Sequence, residues 1–133
     1  KGKGRKTMTE YTKSFIKCKD EQSFKYAFIK EKYADTQDYI FPIETEETIK
    51  GFPDVLIVKK GSNISFFLEF KYTEGNTIKF RKGQIAFYKK YKELPIYIVA
   101  YKAKENKVVL FPASEIFNID GEYGINLNLE VKI

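Results

Sequence analysis

The chain has 133 residues, is 43% hydrophobic and carries a net charge of +6, with an isoelectric point near 9.2. That is the size of one domain with enough apolar content for a core, and its charge favours an anionic partner such as nucleic acid or a membrane surface. With no histidine and one cysteine, Cys18, it excludes serine or cysteine triads, histidine-dependent nucleases, a cysteine-rich zinc site and an internal disulfide. Neither GxxxxGK[ST] nor GxGxxG occurs, and no stretch of 18 uncharged apolar residues is present to span a bilayer. Catalysis must therefore rest on carboxylates, lysines, tyrosines and a hard metal. No signal peptide is visible, and the lone cysteine suits a reducing cytoplasm.

KGKGRKT, residues 1–7, is basic, and Arg5 within it is a candidate DNA contact. Met8 reads as a natural start, which would make the residues before it a tag remnant. Residues 1–19 are thus expected to be an N-terminal arm or remnant, and residues 20–133 a single domain. From Asp20, DEQSFKYAFIKEKYA reads as a helix: Asp20 can cap it, and Phe24, Ala27 and Phe28 follow helical spacing. DYIFPIE reads as a short strand stopped near Pro42. DVLIVKK and ISFFLEFK are two β runs joined by Lys60-Gly61-Ser62-Asn63, a hairpin signal. IKFRKGQIAFYKKYKEL reads as a second helix with Ile85, Tyr88 and Leu94 on its buried side. PIYIVAY and VVLFP are strands flanking a KENK turn. INLNLEVKI alternates like an edge strand with one wet face. The reading is an α/β or α+β domain, in the order helix, three strands, helix, two or three strands.

The greasy run ISFFLEF ends in Glu69 and, two residues on, Lys71. Uncompensated buried charge costs several kcal/mol, so these charges need a reason. Alternation puts Glu69 and Lys71 on one strand face, and Phe66, Leu68 and Phe70 on the other. Pairing with the preceding run brings Asp54 beside Glu69. Two close carboxylates repel unless a cation lies between them, and oxygen ligands suit Mg²⁺ or Mn²⁺. Such a centre can hydrolyse a phosphodiester. Glu-x-Lys alone is a weak signal, for the chain has three. Glu105-Asn106-Lys107 sits in a turn with no aspartate upstream. Glu130-Val131-Lys132 follows Asp120 but leaves no room for a helix. Only Glu69-Phe70-Lys71 has the full pattern of Gly51-Phe52-Pro53-Asp54, β run, turn, β run, then a basic helix opening near Gln84.

Pro53-Asp54 followed by Glu69-Phe70-Lys71 resembles the PD-(D/E)xK nuclease superfamily. The form GFPD…EFK…Q is most similar to virus-type replication-repair nuclease (VRR-NUC) domains and to small Holliday junction resolvases, over roughly residues 20–117. The resemblance implies an αβββαβ core, a mixed sheet flanked by helices, in the order read above. It implies Mg²⁺, replaceable by Mn²⁺, held by Asp54, Glu69 and the Phe70 carbonyl. Lys71 and Gln84 take the remaining catalytic positions. A helix-one glutamate is often added, for which Glu21 is the first choice and Glu31 and Glu10 are weaker ones. Lys79, Arg81, Lys82, Lys89 and Lys90 form a basic segment expected to contact phosphates, with Tyr88 and Tyr91 interleaved. The expected function is a metal-dependent DNA endonuclease selective for junctions or flaps, of phage type, in the cytoplasm of a bacterial or archaeal host. DNA is the expected partner, with a homodimer and no membrane. The alternatives are a non-catalytic nucleic-acid-binding module on the same fold and a restriction or defence nuclease.

Overall fold

The computed structural model describes residues 7–10, 15–43, 51–116 and 124–126. The chain order is β1 (Thr7–Glu10), α1 (Glu21–Tyr33), β2 (Tyr39–Pro42), β3 (Val55–Val58), β4 (Ser65–Thr73), β5 (Thr77–Lys79), α2 (Lys82–Lys90), β6 (Ile96–Lys102), β7 (Lys107–Pro112) and β8 (Gly124–Asn126). Six strands form one mixed sheet in the order β1-β7-β6-β4-β3-β2; β5 and β8 form a small second sheet. Only β4 and β6 run parallel in the main sheet; its other neighbouring strands are antiparallel. The expected mixed sheet flanked by helices is therefore present, in the expected order, with β1 added at one edge.

α1 begins where its sequence says it should. Asp20 and Ser23 form a reciprocal cap, with the Ser23 N–H donating to Asp20 Oδ1 at 2.9 Å. Phe24 and Phe28, one helical turn apart, fall on the sheet. The Phe24 ring stacks on Tyr101 at 4.8 Å, and the Phe28 ring meets Phe70 edge-on at 5.6 Å. Each buried aromatic contributes about 2 kcal/mol of transfer free energy, so this cluster seats α1 firmly. On the other face a second core gathers Ile78, Phe80, Ile85, Phe87, Ile98 and Phe111 around α2.

Three readings change. Residues 7–19 do not all lie outside the domain: Thr7–Glu10 pair with β7 as an edge strand, and Phe15 is 0% exposed among the α1 aromatics. The basic composition of residues 1–7 gives no hint of the apolar anchor Phe15 beyond it. The second helix is shorter than residues 78–94. Thr77–Lys79 are a strand, with Ile78 and Phe80 buried and Lys79 exposed, an alternation overlooked beside the stronger helical pattern. Its far end stops at Lys90, because the chain must turn before Pro95, and Leu94 is exposed. Of the INLNLEVKI run, Gly124–Asn126 include a strand paired with β5; residues 127–133 lie outside the described residues, as does Arg5.

Gly51 explains the start of GFPD. Its φ is +87°, and a Cβ there would meet the Gly83 carbonyl oxygen at 2.4 Å and Gln84 Cα at 2.9 Å. The backbone entering β3 is thus pressed against the first turn of α2. Gly51→Ala should cost about 2 kcal/mol or more from strained φ and overlap together, and lower Tm by about 5–10 °C. Thermal unfolding tests this; an unchanged Tm would show that the two backbones are not in contact.

Candidate active site

The β3–β4 register pairs Val55 with Leu68, and one step further sets Asp54 opposite Glu69. Asp54 is pinned by its backbone, its N–H donating to the Leu68 carbonyl at 3.0 Å while its carbonyl accepts from Ile43 N–H at 2.8 Å. Its side chain turns toward β4, where Oδ2 accepts the Phe70 N–H at 3.0 Å. Glu21, the first residue of α1, enters from the helix that covers the opposite sheet face. Carboxylate oxygens of Glu21, Asp54 and Glu69 all lie within 4.8 Å of one another. The positive end of the α1 dipole sits at this acidic cluster and offsets part of its repulsion.

Gln84 organises the buried side of the cluster. Its Nε2 donates to Glu69 Oε2 at 2.8 Å, and its Oε1 accepts from Lys71 Nζ at 2.8 Å and from Arg81 N–H at 3.0 Å. This amide orientation is chemically required: rotated by 180°, its NH₂ would face two donors. Glu69, Lys71 and Gln84 are 3%, 7% and 1% exposed, so a carboxyl group and a lysine are bridged by a neutral amide in a nearly dry setting. The Lys71 ammonium also lies 4.8 Å from the Phe80 ring centroid, a cation–π contact. Phe80 was not singled out from the sequence, though the alternation of Ile78 and Phe80 was its signal.

The cluster is electrostatically unbalanced. Burial, then the neighbouring Asp54 charge, pushes the Glu69 carboxyl up to about 8. Burial also raises Glu21, against the pull of Lys71, while burial lowers Lys71, against the pull of Glu69. Glu69 Oε1 is buried with no hydrogen-bond partner. Three convergent carboxylates and an orphaned, buried oxygen fit a divalent cation with oxygen ligands. The proton that Glu69 keeps in the metal-free protein is the one such a cation would replace.

A pH effect follows. Because the folded value of Glu69 lies above its ordinary 4.5, its contribution to stability is complete below about pH 4.5 and is lost as pH rises toward 8. Metal-free protein should lose Tm from Glu69 across that window, while the Tm gained on adding Mg²⁺ should grow from pH 6 to 8.5. Scanning calorimetry with and without Mg²⁺ at each pH tests this; a Mg²⁺ shift that shrinks as pH rises would contradict it.

The other candidates separate by position. Glu31 is in the last turn of α1, ten residues and about 15 Å along the helix from Glu21. Glu10 is on β1, which β7 and β6 separate from β4. Arg81, at the head of α2, is close enough to lower the carboxyl groups of Glu21 and Glu69. Lys79 is exposed on β5, and Lys89 and Lys90 are exposed in the last turn of α2, about 12 Å along the helix from Arg81. Lys82 heads α2, but its side chain lies outside the description. The Glu105 side chain of the first decoy pairs instead with the buried Lys102 at 3.3 Å and with Lys107 at 3.9 Å. The second decoy, Glu130 to Lys132, lies outside the described residues.

With this geometry in place, the solved structures to which the chain is similar include Hjc, a Holliday junction resolvase from the archaeal hyperthermophile Archaeoglobus fulgidus. The superposition covers 84% of this chain and 94% of that one, with a TM-score of 0.60 and 11% sequence identity. The fold resembles that of a Holliday junction resolvase. No protein-family model and no curated protein sequence matches the chain. At 11% identity the likeness to Hjc is one of backbone architecture, and the carboxylate cluster is the part of the site that this chain's own residues supply.

Proposed function

We propose that this protein is a divalent-metal-dependent endonuclease that hydrolyses phosphodiester bonds in branched DNA. The observation that carries the proposal is the convergence of Glu21, Asp54 and Glu69 beside a Gln84-bridged Lys71, on a resolvase-like fold. In this reading Asp54, Glu69, Glu21 and the Phe70 carbonyl would hold Mg²⁺ or Mn²⁺, which would supply Lewis-acid activation and charge neutralisation. Lys71 orients the attacking water and stabilises negative charge developing on the phosphoryl oxygens. Gln84 keeps the Lys71 ammonium and the Glu69 carboxylate at fixed separation. Arg81, beside the cluster and near the N-terminus of α2, binds the phosphate. The water oxygen attacks phosphorus and gives up a proton to solvent, the bond to the leaving oxygen breaks, that oxygen takes a proton from solvent, and the products are a phosphate monoester end and a hydroxyl end.

Recognition through phosphates and DNA shape suits a small basic domain in which, among the described residues, no element is shaped for reading base edges. Symmetric cutting of a four-way junction needs two sites, which a two-fold homodimer supplies. The sequence pattern adds a virus-type replication-repair setting in the cytoplasm of a bacterial or archaeal cell. Among the described residues, no helix is long and apolar enough to cross a membrane.

The deciding experiment offers equal lengths of four-way junction, flapped DNA and linear duplex to the purified protein. Branched substrates should be cut with Mg²⁺ or Mn²⁺ and bound, but hardly cut, with Ca²⁺. Affinity should fall steeply with salt, and Arg81→Ala should reduce the slope of log affinity against log salt by about one. Full cleavage in EDTA would refute the metal role. Binding without cleavage in any divalent metal would leave only a nucleic-acid-binding module.

A further inference from the structure

Among the described residues β2 is an edge strand, and its two outward aromatics are half exposed. Tyr39 is 48% exposed and Phe41 49% exposed, with ring centroids 6.4 Å apart and planes 24° from parallel. Between them Ile40 points the other way, packing with Ile57 against the α1 core. The register pairs Tyr39 with Val58 and Phe41 with Leu56, so all four share the sheet face of Asp54, Glu69 and Lys71. Phe41 lies one strand over and two residues along from Asp54, roughly 8 Å between backbones. The aromatic pair therefore continues the face that carries the carboxylate cluster.

Charge marks what belongs there. Lys60 Nζ sits 5.8 Å from the Tyr39 ring centroid. The nearby carboxylate, Asp38, is engaged by Lys59 Nζ at 2.7 Å and by the Lys60 N–H at 3.1 Å. Flat, half-exposed rings beside a lysine match a base with its phosphate. A second copy of the chain is less well suited, because it would bring another +6 of charge and would meet a strand of four residues that ends in Pro42, which has no N–H to donate.

We propose that Tyr39 and Phe41 are a stacking shelf for unpaired bases of DNA, beside the cleavage centre, with Lys60 on the adjoining phosphate. This rests on the nuclease reading and narrows it: branched DNA with a single-stranded segment, such as a flap or fork, binds better than a fully paired junction.

The test is anisotropy binding without cleavage, in Ca²⁺, using a duplex with a 10-nucleotide oligo(dT) flap, a fully paired four-way junction and a duplex of equal length. 2-Aminopurine in the flap reports stacking. Wild-type protein should favour the flap and quench the probe. Tyr39→Ala with Phe41→Ala should lose 10- to 100-fold in flap affinity and the quenching, with duplex affinity kept within about 2-fold. Tyr39→Leu with Phe41→Leu, which keeps apolar cover but removes flat rings, should behave like the alanine pair. Rescue by leucine, equal losses on flap and duplex, no preference of the wild type for the flap, or a dimer that dissociates on substitution would each overturn the shelf. An absence of Mg²⁺-dependent cleavage by wild-type protein that still quenches the flap probe would instead overturn the nuclease reading alone.

Discussion

Glu69→Gln should lower Mg²⁺-dependent cleavage at least about 1000-fold and, at pH 8 without metal, raise Tm. The two effects have one origin. Glutamine keeps the shape, and its carbonyl oxygen can still accept from Gln84 Nε2, where Glu69 now accepts at 2.8 Å. What it removes is a negative charge 97% withdrawn from solvent and placed within reach of Asp54 and Glu21. In the metal-free protein that charge is a burden, as its raised protonation range shows. On the proposed nuclease reading it would serve as a metal ligand, and losing an anionic ligand would remove several kcal/mol of stabilisation from the developing phosphoryl charge. Single-turnover rates with excess enzyme measure the first effect, and calorimetry of both proteins at pH 8 the second. Cleavage within 10-fold of wild type would end the catalytic assignment. A lower Tm in the variant would show that Glu69 is compensated by something other than a cation.

Gln84→Leu should act in the same direction on both measurements, reducing cleavage about 100-fold and lowering Tm by about 5–10 °C. The leucine fills similar volume but leaves Glu69 Oε2 and Lys71 Nζ without the bonds they make now, in residues only 3% and 7% exposed. Each orphaned buried group costs about 1–3 kcal/mol. Arg81 N–H loses its acceptor as well, which loosens the head of α2. Because Lys71 and Gln84 act through one contact, Lys71→Met combined with Gln84→Leu should cost less than the sum of the single effects. Additive losses in rate would mean that Gln84 does not position Lys71.

Much of this site was legible in the linear chain because a strand has an unambiguous period of two. Glu69 and Lys71 had to share a face, and a Lys-Gly-Ser-Asn turn between two β runs had to bring Asp54 back beside them. The N-terminus of α1 was legible for a similar local reason: Asp20 and Ser23 cap it within one turn, which puts Glu21 at its head. Which helix-one glutamate meets the carboxylates depends instead on how α1 docks. The rings of Phe15, Phe24, Phe28, Phe70 and Tyr101 decide that, contributed by four separate parts of the chain. The same holds for Gln84. Helical spacing marks it as polar on a largely buried helix, but only the close approach of Gly51 to Gly83 and the β4–β6 crossover place its amide between Glu69 and Lys71. The strands β1 and β5 escape a local reading because they are only four and three residues long, too short for alternation to stand out beside a basic segment and a helical pattern. The sequence by itself thus determined the carboxylates, the lysine and the sheet face they share; long-range packing decided which glutamate, which glutamine contacts and which exposed aromatics complete the surface around them.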